Sequence, residues 1–333
     1  MNAHQTHLLL HWYEANQRSL PWRHTSDPYH IWISEIMCQQ TRVEAVKGYY
    51  ARFLAALPTV EALAQVEDNK LLKLWEGLGY YSRARNLKKA AQMVMQEYDG
   101  QLPKTPEELR KLPGIGCYTA GAIASIAFGV AVPAVDGNVL RVLARLQADY
   151  ADITLEKTKQ NFAARLQPTI PSSKPGVFNQ ALMELGALVC LPNGAPLCPK
   201  CPLQESCLAR QHALIAELPV KTAKKPRRLE RKQLLILRHE DKLALRKRPD
   251  TGLLAGLWEL PEVFELPVDY VHSSEDAGAA VHIFTHIEWH MTARKVVLKK
   301  TIALDNLVWV TQQQLAQDYA LPSAFAGFRE MMF

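Results

Sequence analysis

Four of the six cysteines are crowded into one short segment, in the spacing Cys190-x7-Cys198-x2-Cys201-x5-Cys207. Pro192, Gly194, Pro196, Pro199 and Pro202 interrupt it, so the segment cannot be a helix and is expected to wind as a loop around a centre. Soft thiolate donors at that density point to a metal group. Cys38 and Cys117 stand apart in apolar or glycine-rich surroundings, which argues against a framework of three disulfides. Zinc and an iron–sulfur cluster both suit four thiolates. Zinc ribbons pair two tight Cys-x-x-Cys knuckles across a longer gap, and with one knuckle here the spacing leans toward iron–sulfur.

The sequence has 333 residues, 48% of them hydrophobic, enough for two cores and more than one compact core usually takes. The pattern from His7 to about Arg210 is helical: Val43, Val46, Tyr50, Phe53, Leu54 and Leu57 recur on one helix face, and Pro58, Pro103, Pro113, Pro133 and Pro171 mark breaks. After Leu218-Pro219-Val220 comes KTAKKPRRLERK, Lys221 to Lys232, with a single acidic residue; this run is read as a basic linker. Strands are expected at Leu234–Leu237, Leu243–Leu245, Lys295–Leu298 and Leu307–Val310, with helical patterning only near the C-terminus. The fold class is therefore a mostly α N-terminal region and an α+β C-terminal domain, divided as 1–216, a linker at 217–232, and 233–333.

A net charge of +6 permits a polyanionic partner without requiring one. No charged start runs into a hydrophobic segment and cleavage site, and the longest apolar stretch, Gly121 to Val135, is too short to span a bilayer. An intracellular, cytoplasmic or nucleoid-associated protein with no membrane attachment is expected.

Leu112-Pro113-Gly114-Ile115-Gly116 lies between two expected helices, Pro106 to Lys111 and Tyr118 to Phe128. Gly114 and Gly116 let backbone N–H groups approach a phosphate, and the following helix N-terminus favours an anion, so a helix-hairpin-helix over about 106–128 is one reading and a plain glycine turn the other. Asp136 precedes the periodic helix of Val139, Val142, Leu143 and Leu146. On its own it reads as an N-cap; next to a phosphate-gripping hairpin it can also face a developing sugar cation. His282, His286 and His290 would align on a helix, but Val281, Ile283, Ile287, Trp289 and Met291 alternate at period two. On a strand successive histidines would lie about 13 Å apart, so one ion cannot bridge them.

Hairpin, Asp136 and four cysteines, in that order, resemble the endonuclease III superfamily of base-excision glycosylases, and within it the MutY-type adenine DNA glycosylases. The resemblance runs through SLPWR (Ser19 to Arg23), ISEIMCQQTRV (Ile33 to Val43), GLGYYSRARNL (Gly77 to Leu87), LPGIGCYTAGAIAS, VDGNVLRVLAR and NQALMELGALVC (Asn179 to Cys190). RPDTGLLAGLWELP (Arg248 to Pro261) and HIFTH (His282 to His286) are similar to that family's Nudix-like lesion-recognition domain. No Gly-x5-Glu-x7-Arg-Glu box follows Gly252, so pyrophosphate hydrolysis is not expected.

The resemblance implies one [4Fe–4S] cluster on Cys190, Cys198, Cys201 and Cys207, and a monomer acting on double-stranded DNA with 8-oxoguanine:adenine or guanine:adenine mispairs. It implies Glu35 as general acid toward adenine N7, Asp136 as the carboxylate that stabilises the sugar cation, and Tyr118 and Asn138 as orienting groups. Purine loss needs a proton on the base and a countercharge for the sugar, and Glu35 lies in the apolar HIWISEIM, where burial favours its neutral form. Arg18, Leu20, Trp22, Arg23 and Glu184 are implied for the flipped adenine's pocket, Gln39, Gln40 and Tyr80 for the stack beside the oxidised guanine, and Phe284, Thr285 and His286 for the lesion loop. Tyr118 stands where lyase relatives carry a lysine, so a monofunctional enzyme is expected. Two departures are visible: the family has six residues between its first two cysteines and this chain has seven, Leu191 to Leu197, and its Phe-Ser-His lesion loop is Phe284-Thr285-His286 here. The alternatives are an endonuclease III-like lyase for oxidised pyrimidines, disfavoured by Tyr118 and the C-terminal domain, and a catalytically silent DNA-binding iron–sulfur protein.

Overall fold

The computed structural model describes residues 1–223 and 225–333; Lys224, within the basic run, lies outside the described residues. The chain divides into two units, Met1–Ala64 with Asn86–Ala223 and Gln65–Arg85 with Lys224–Phe333.

The first unit is helical. Helices α1 (Ala3–Asn16), α2 (Pro28–Cys38), α3 (Val43–Ala56) and α4 (Val60–Gln65) lead to α5 (Asp68–Leu74), which belongs to the second unit, and α6 (Ser82–Glu97) crosses back. Then come α7 (Pro106–Leu109), α8 (Cys117–Phe128), α9 (Gly137–Leu146), α10 (Glu156–Leu166), α11 (Pro175–Leu188) and the short α12 (Leu208–Gln211). Asp27 starts α2 by accepting Tyr29 N and His30 N, with Pro28 in the first turn where a missing N–H costs nothing. Helix α9 packs Val139, Val142, Leu143 and Leu146 with Phe162 of α10 and Phe178, Leu182 and Leu185 of α11. The expected helical spacing is thus a core-facing stripe.

The expected hairpin is present: α7 ends at Leu109, α8 begins at Cys117, and the turn between them holds both glycines. Only Gly114 needs to be glycine on backbone grounds, with φ +82; a Cβ there would also come within 2.8 Å of Asn86 Cβ. Gly116 is the extended N-cap of α8, and an added Cβ would meet no protein atom within 4 Å. Its face is open space.

The second unit contains a six-stranded sheet: β1 (Arg228–His239), β2 (Lys242–Lys247), β3 (Trp258–Glu259), β4 (Val271–Ile283), β5 (Ile287–Leu298) and β6 (Leu307–Thr311). The order is β3-β2-β1-β5-β4, with β6 paired to β2; β1 and β5 are parallel and the other pairs antiparallel. Leu234 and Ile236 face one core with Trp258, Trp289 and Phe325, while Leu235 and Leu237 face another with Val296 and Leu298. Cover on both faces explains why this stretch is an unbroken apolar run.

Two expectations are corrected. Strand β1 begins at Arg228, inside the run read as linker, because Arg228 to Arg238 pair with Ile287 to Val297; its first residues are mostly exposed and carry no apolar signal. His282 and His290 lie on opposite arms of a hairpin, with His286 in its turn. The register puts His282 across from Trp289 and Val281 across from His290, so their side chains fall on opposite faces. No helix among the described residues is long and apolar enough to cross a membrane.

Candidate active site

A cavity of about 570 Å³ opens in the helical unit, lined by Arg18, Leu20, Trp22, Arg23, Glu35, Tyr118, Asp136, Asn138 and Glu184 among others. That is within the range of small-molecule pockets and large enough for a nucleoside. All nine of these residues were expected at the site from sequence; Gln180 and Met183 of α11 and Thr41, Arg42, Val43 and Glu44 also line it and were not. All but Glu44 sit within the motifs ISEIMCQQTRV and NQALMELGALVC, where their own side chains carried no assigned chemistry.

Glu35 comes from the last turns of α2, between Ser34 and Ile36, which are buried in the core. Tyr118 Oη, on the first turn of α8, donates to Glu35 Oε2 at 2.6 Å. Burial pushes the Glu35 carboxyl up to about 7; the charge of Asp136 adds to the rise, and the Tyr118 hydrogen bond and the Arg23 guanidinium oppose it. The same burial drives the Tyr118 phenol well above its usual range, so the phenol is neutral and free to donate.

Asp136 is the N-cap of α9: Oδ1 accepts Val139 N at 2.7 Å and Oδ2 accepts Asn138 Nδ2 at 2.8 Å. Burial raises its pKa from the ordinary value, against the pull of these donors. Asp136 is thus an N-cap, as the periodic helix implied, and it also lines the cavity. Gly186 of α11 makes the close fit possible, since a Cβ there would fall 2.6 Å from Asn138 Cβ. Asn179 of α11, fully buried, fixes the approach to Asp136: its Oδ1 accepts Ala134 N at 3.1 Å and its Nδ2 donates to Val132 O and Ser125 Oγ, each at 2.8 Å.

Glu184 is almost fully buried and accepts from Arg18 N, Nε and Nη2 and from Arg23 Nη1 and Nη2, at 2.6–2.9 Å. Burial works against its charge, but the hydrogen bonds from Arg23 and Arg18 hold its pKa at about 2. Five donors saturate this carboxylate. Trp22 forms an edge-to-face pair with Tyr50, centroids 5.2 Å apart.

Of the other expected positions, Gln39 caps the end of α2 and donates through Nε2 to Thr119 Oγ1 at 3.1 Å, while Gln40 is exposed with φ +56. In the second unit, Tyr80 Oη lies 3.1 Å from Thr285 Oγ1, and the Phe284 ring packs edge-on against Trp289 and His282 at 4.9 and 4.6 Å. Arg228 N donates to His286 O, anchoring that hairpin turn.

The four clustered cysteines, with Leu185 and Val189, line one cavity of about 30 Å³. No three His, Cys, Asp or Glu side chains among the described residues could hold a single ion, so the thiols surround a space instead of a point. Burial and the neighbouring thiols push Cys201 up to about 12. Two arginines of α9 hold this loop, and one of them, Arg141, also reaches the cavity, a link the sequence reading missed. Arg145 Nη1 reaches Cys190 Sγ at 3.4 Å and Leu191 O at 2.9 Å. Arg141 donates to Cys190 O and Gly186 O, each at 2.7 Å, and to Asn138 Oδ1 at 2.9 Å.

Hairpin, paired carboxyl groups in a nucleoside-sized cavity and cysteine loop define a base-excision repair protein, and residues 33–168 match the HhH-GPD superfamily of base excision DNA repair proteins. Residues 233–330 match the NUDIX domain. Over 92% of its length the chain is 34% identical to human adenine DNA glycosylase, covering 70% of that protein, and it is 31% identical to the Schizosaccharomyces pombe adenine DNA glycosylase, covering 85% of it. Among solved structures, a thermostable thymine-DNA glycosylase aligns with TM-score 0.56 and 30% identity over 62% of this chain and 95% of its own. Endonuclease III trapped covalently on DNA aligns with TM-score 0.54 and 25% identity over 64% of this chain and 100% of its own. The chain belongs to the adenine DNA glycosylases of the MutY type.

Proposed function

We propose that the protein is a monofunctional glycosylase that removes adenine paired with 8-oxoguanine or guanine in double-stranded DNA, acting as a monomer on the DNA of the cell interior. One observation carries most of the support: Glu35 and Asp136 line one cavity, the first hydrogen-bonded by a phenol and the second by N–H donors. Acid and countercharge are the two groups purine loss requires.

In this reading the turn at Gly114 and Gly116 grips the phosphate backbone and the adenine flips into the cavity against Leu20 and Trp22. Arg18 and Arg23 present donors to the base edge, and Glu184, saturated by them, acts on the base only through them. Glu35, protonated near neutral pH, gives its proton to adenine N7 as the C1′–N9 bond breaks and its electron pair leaves with the base. The Asp136 carboxylate faces the positive charge that develops on the sugar. Water then adds to C1′ and returns a proton to Glu35, with Asn138 holding Asp136 and Tyr118 holding Glu35. Tyr118 has no amine with which to form a Schiff base, so the product is an abasic site in an intact strand. Gln39, Gln40, Tyr80, Phe284, Thr285 and His286 are assigned to the strand opposite, with residues 233–333 as the lesion-recognition domain.

Cys190, Cys198, Cys201 and Cys207 fit one [4Fe–4S] cluster: four thiols around a shared space, with cationic Arg145 at the Cys190 sulfur. Such a cluster supplies a cross-link between four points of a loop in which only Leu203, between Leu191 and Cys207, is buried. Asn193–Ala195, between Cys190 and Cys198, is exposed, so a seventh residue in this loop meets little packing constraint.

The test is single-turnover incubation with a duplex carrying adenine opposite 8-oxoguanine. Strand cleavage at the adenine that requires alkali supports the reading. Cleavage without alkali points to a lyase, and binding without cleavage to a silent DNA-binding protein.

A further inference from the structure

The loop that carries Tyr80 is packed within the same unit as the C-terminal sheet. Where α5 meets this loop, two side chains tie it down. Lys73 Nζ donates to Leu315 O at 2.9 Å and Tyr319 O at 3.2 Å, and pairs with Glu76 Oε2 at 2.6 Å. The other oxygen, Glu76 Oε1, accepts Leu321 N at 3.0 Å, with Arg329 Nη2 at 3.9 Å. One lysine and one carboxylate therefore engage three backbone groups of the Leu315–Leu321 segment. The pair is only about one-fifth exposed, 18% and 20%, so solvent and salt screen it weakly.

Beyond this bolt the loop is braced locally, with Trp75 Nε1 and Arg83 Nη2 both donating to Gly79 O at 3.1 Å. Tyr80 itself is left-handed, φ +47, a conformation a bulky residue holds only when its surroundings impose it. The residue is 48% exposed; its hydroxyl pairs with Thr285, and the Arg83 guanidinium lies over its ring at 5.6 Å. An exposed hydroxyl pair contributes too little to hold a strained loop, so the braces at Gly79 fix its shape and a separate tie must fix its place on the Leu315–Leu321 segment. Lys73 and Glu76 supply it.

We propose that Lys73 and Glu76 are positioning residues that determine lesion selectivity: by bolting the loop to Leu315–Leu321 they hold Tyr80 against Thr285. Oxidised and normal guanine differ by a few polar atoms at one edge, and reading them requires hydroxyls fixed in advance. Neither residue lines the adenine cavity, so the bolt acts on the choice of partner base and not on the chemistry. The inference rests on the lesion-recognition role assigned above to Tyr80 and Thr285.

The experiment compares single-turnover adenine release from two duplexes, one with 8-oxoguanine and one with guanine opposite the adenine. Variants are Lys73→Ala, Glu76→Ala, the milder Glu76→Gln, and the direct hydroxyl deletions Tyr80→Phe and Thr285→Val; melting temperature is recorded for each. The expected result is a fall of about tenfold in the ratio of the two rates for Glu76→Ala and Lys73→Ala, the effect of one well-placed hydrogen bond. Glu76→Gln, which keeps the acceptor for Leu321 N, should fall less, and the rate on the guanine duplex should stay near wild type in the Lys73 and Glu76 variants. An unchanged ratio in Glu76→Ala beside a lowered one in Tyr80→Phe or Thr285→Val overturns the bolt alone. Unchanged ratios in every variant overturn the lesion reading as well. A parallel loss of both rates with a lowered melting temperature also overturns the proposal, since it marks a purely structural pair.

Discussion

Tyr118 donates its phenolic proton to Glu35 at 2.6 Å, and so draws downward the pKa of a carboxyl that burial has raised to about 7. Deleting that hydroxyl removes a stabiliser of the ionised form, leaving burial and the charge of Asp136 opposed only by Arg23. With Glu35 in the proposed role of acid, base release should be fastest below about pH 7 and fall about tenfold per pH unit above it. In Tyr118→Phe that alkaline limb should move to higher pH. Single-turnover rates across the neutral range measure it; a limb that stays put or moves to lower pH separates Tyr118 from the titration of Glu35.

Removing the carboxyls themselves gives different signatures. Glu35→Gln and Asp136→Asn should each slow adenine release by about 10² to 10⁴-fold while mispair binding is retained. Glu35→Gln should also change stability with pH. The folded pKa of about 7 lies above the ordinary 4.5, so the folded state holds the proton more tightly. Stability from protonated Glu35 is complete below about pH 4.5 and lost as pH rises through about 7. The amide variant should therefore gain melting temperature relative to wild type above pH 7 and gain nothing near pH 4. Equal differences at both ends would mean that Glu35 is not buried as described.

Glu184 titrates in the opposite direction. Held at about 2 against an ordinary 4.5, its charge contributes stability that is present above pH 4.5 and lost as pH falls through about 2. Glu184→Ala would leave Arg18 and Arg23 facing a buried void, and breaking such a pair costs about 3–5 kcal/mol. Urea denaturation of the variant should show that loss at pH 7 and a smaller one at pH 3. A variant as stable as wild type at pH 7 would show that the arginines find other partners.

The two cavity carboxyls and the cysteine loop were legible because each is local: Glu35 stands inside an apolar helix, Asp136 opens a periodic one, and the thiols fall within one loop. Leu234 to Leu237 were legible as a strand because both faces are covered. Strand β4 was not, because Ser273 to Asp276 are exposed and Gly278, Ala279 and Ala280 have little strand preference; pairing with β5 makes it a strand. The hairpin at Phe284–His286 was hidden for a related reason, since period-two alternation continues past the turn on both arms. Gln65–Arg85 groups with the C-terminal sheet through contacts such as those of Lys73 and Glu76 with backbone more than two hundred residues away, which no local pattern encodes. Arg141 was missed because an arginine in a helix reads as solvent-facing, and only the fold supplies its buried acceptors.

Those acceptors carry the last prediction. Arg141 is 4% exposed, and its planar fork spans Cys190 O, Gly186 O and Asn138 Oδ1, while Asn138 Nδ2 holds Asp136. A lysine delivers its donors from a single point and cannot reach all three. Arg141→Lys and Arg141→Gln should therefore loosen both ends at once, lowering iron per chain in purified protein and slowing adenine release about 10- to 100-fold. Asn138→Ala keeps the Arg141 bonds to Cys190 and Gly186, so it should lose activity and retain iron. If Arg141→Lys kept full iron and full rate, or if Asn138→Ala shed iron as readily, the cysteine loop and Asp136 would not be joined through this arginine.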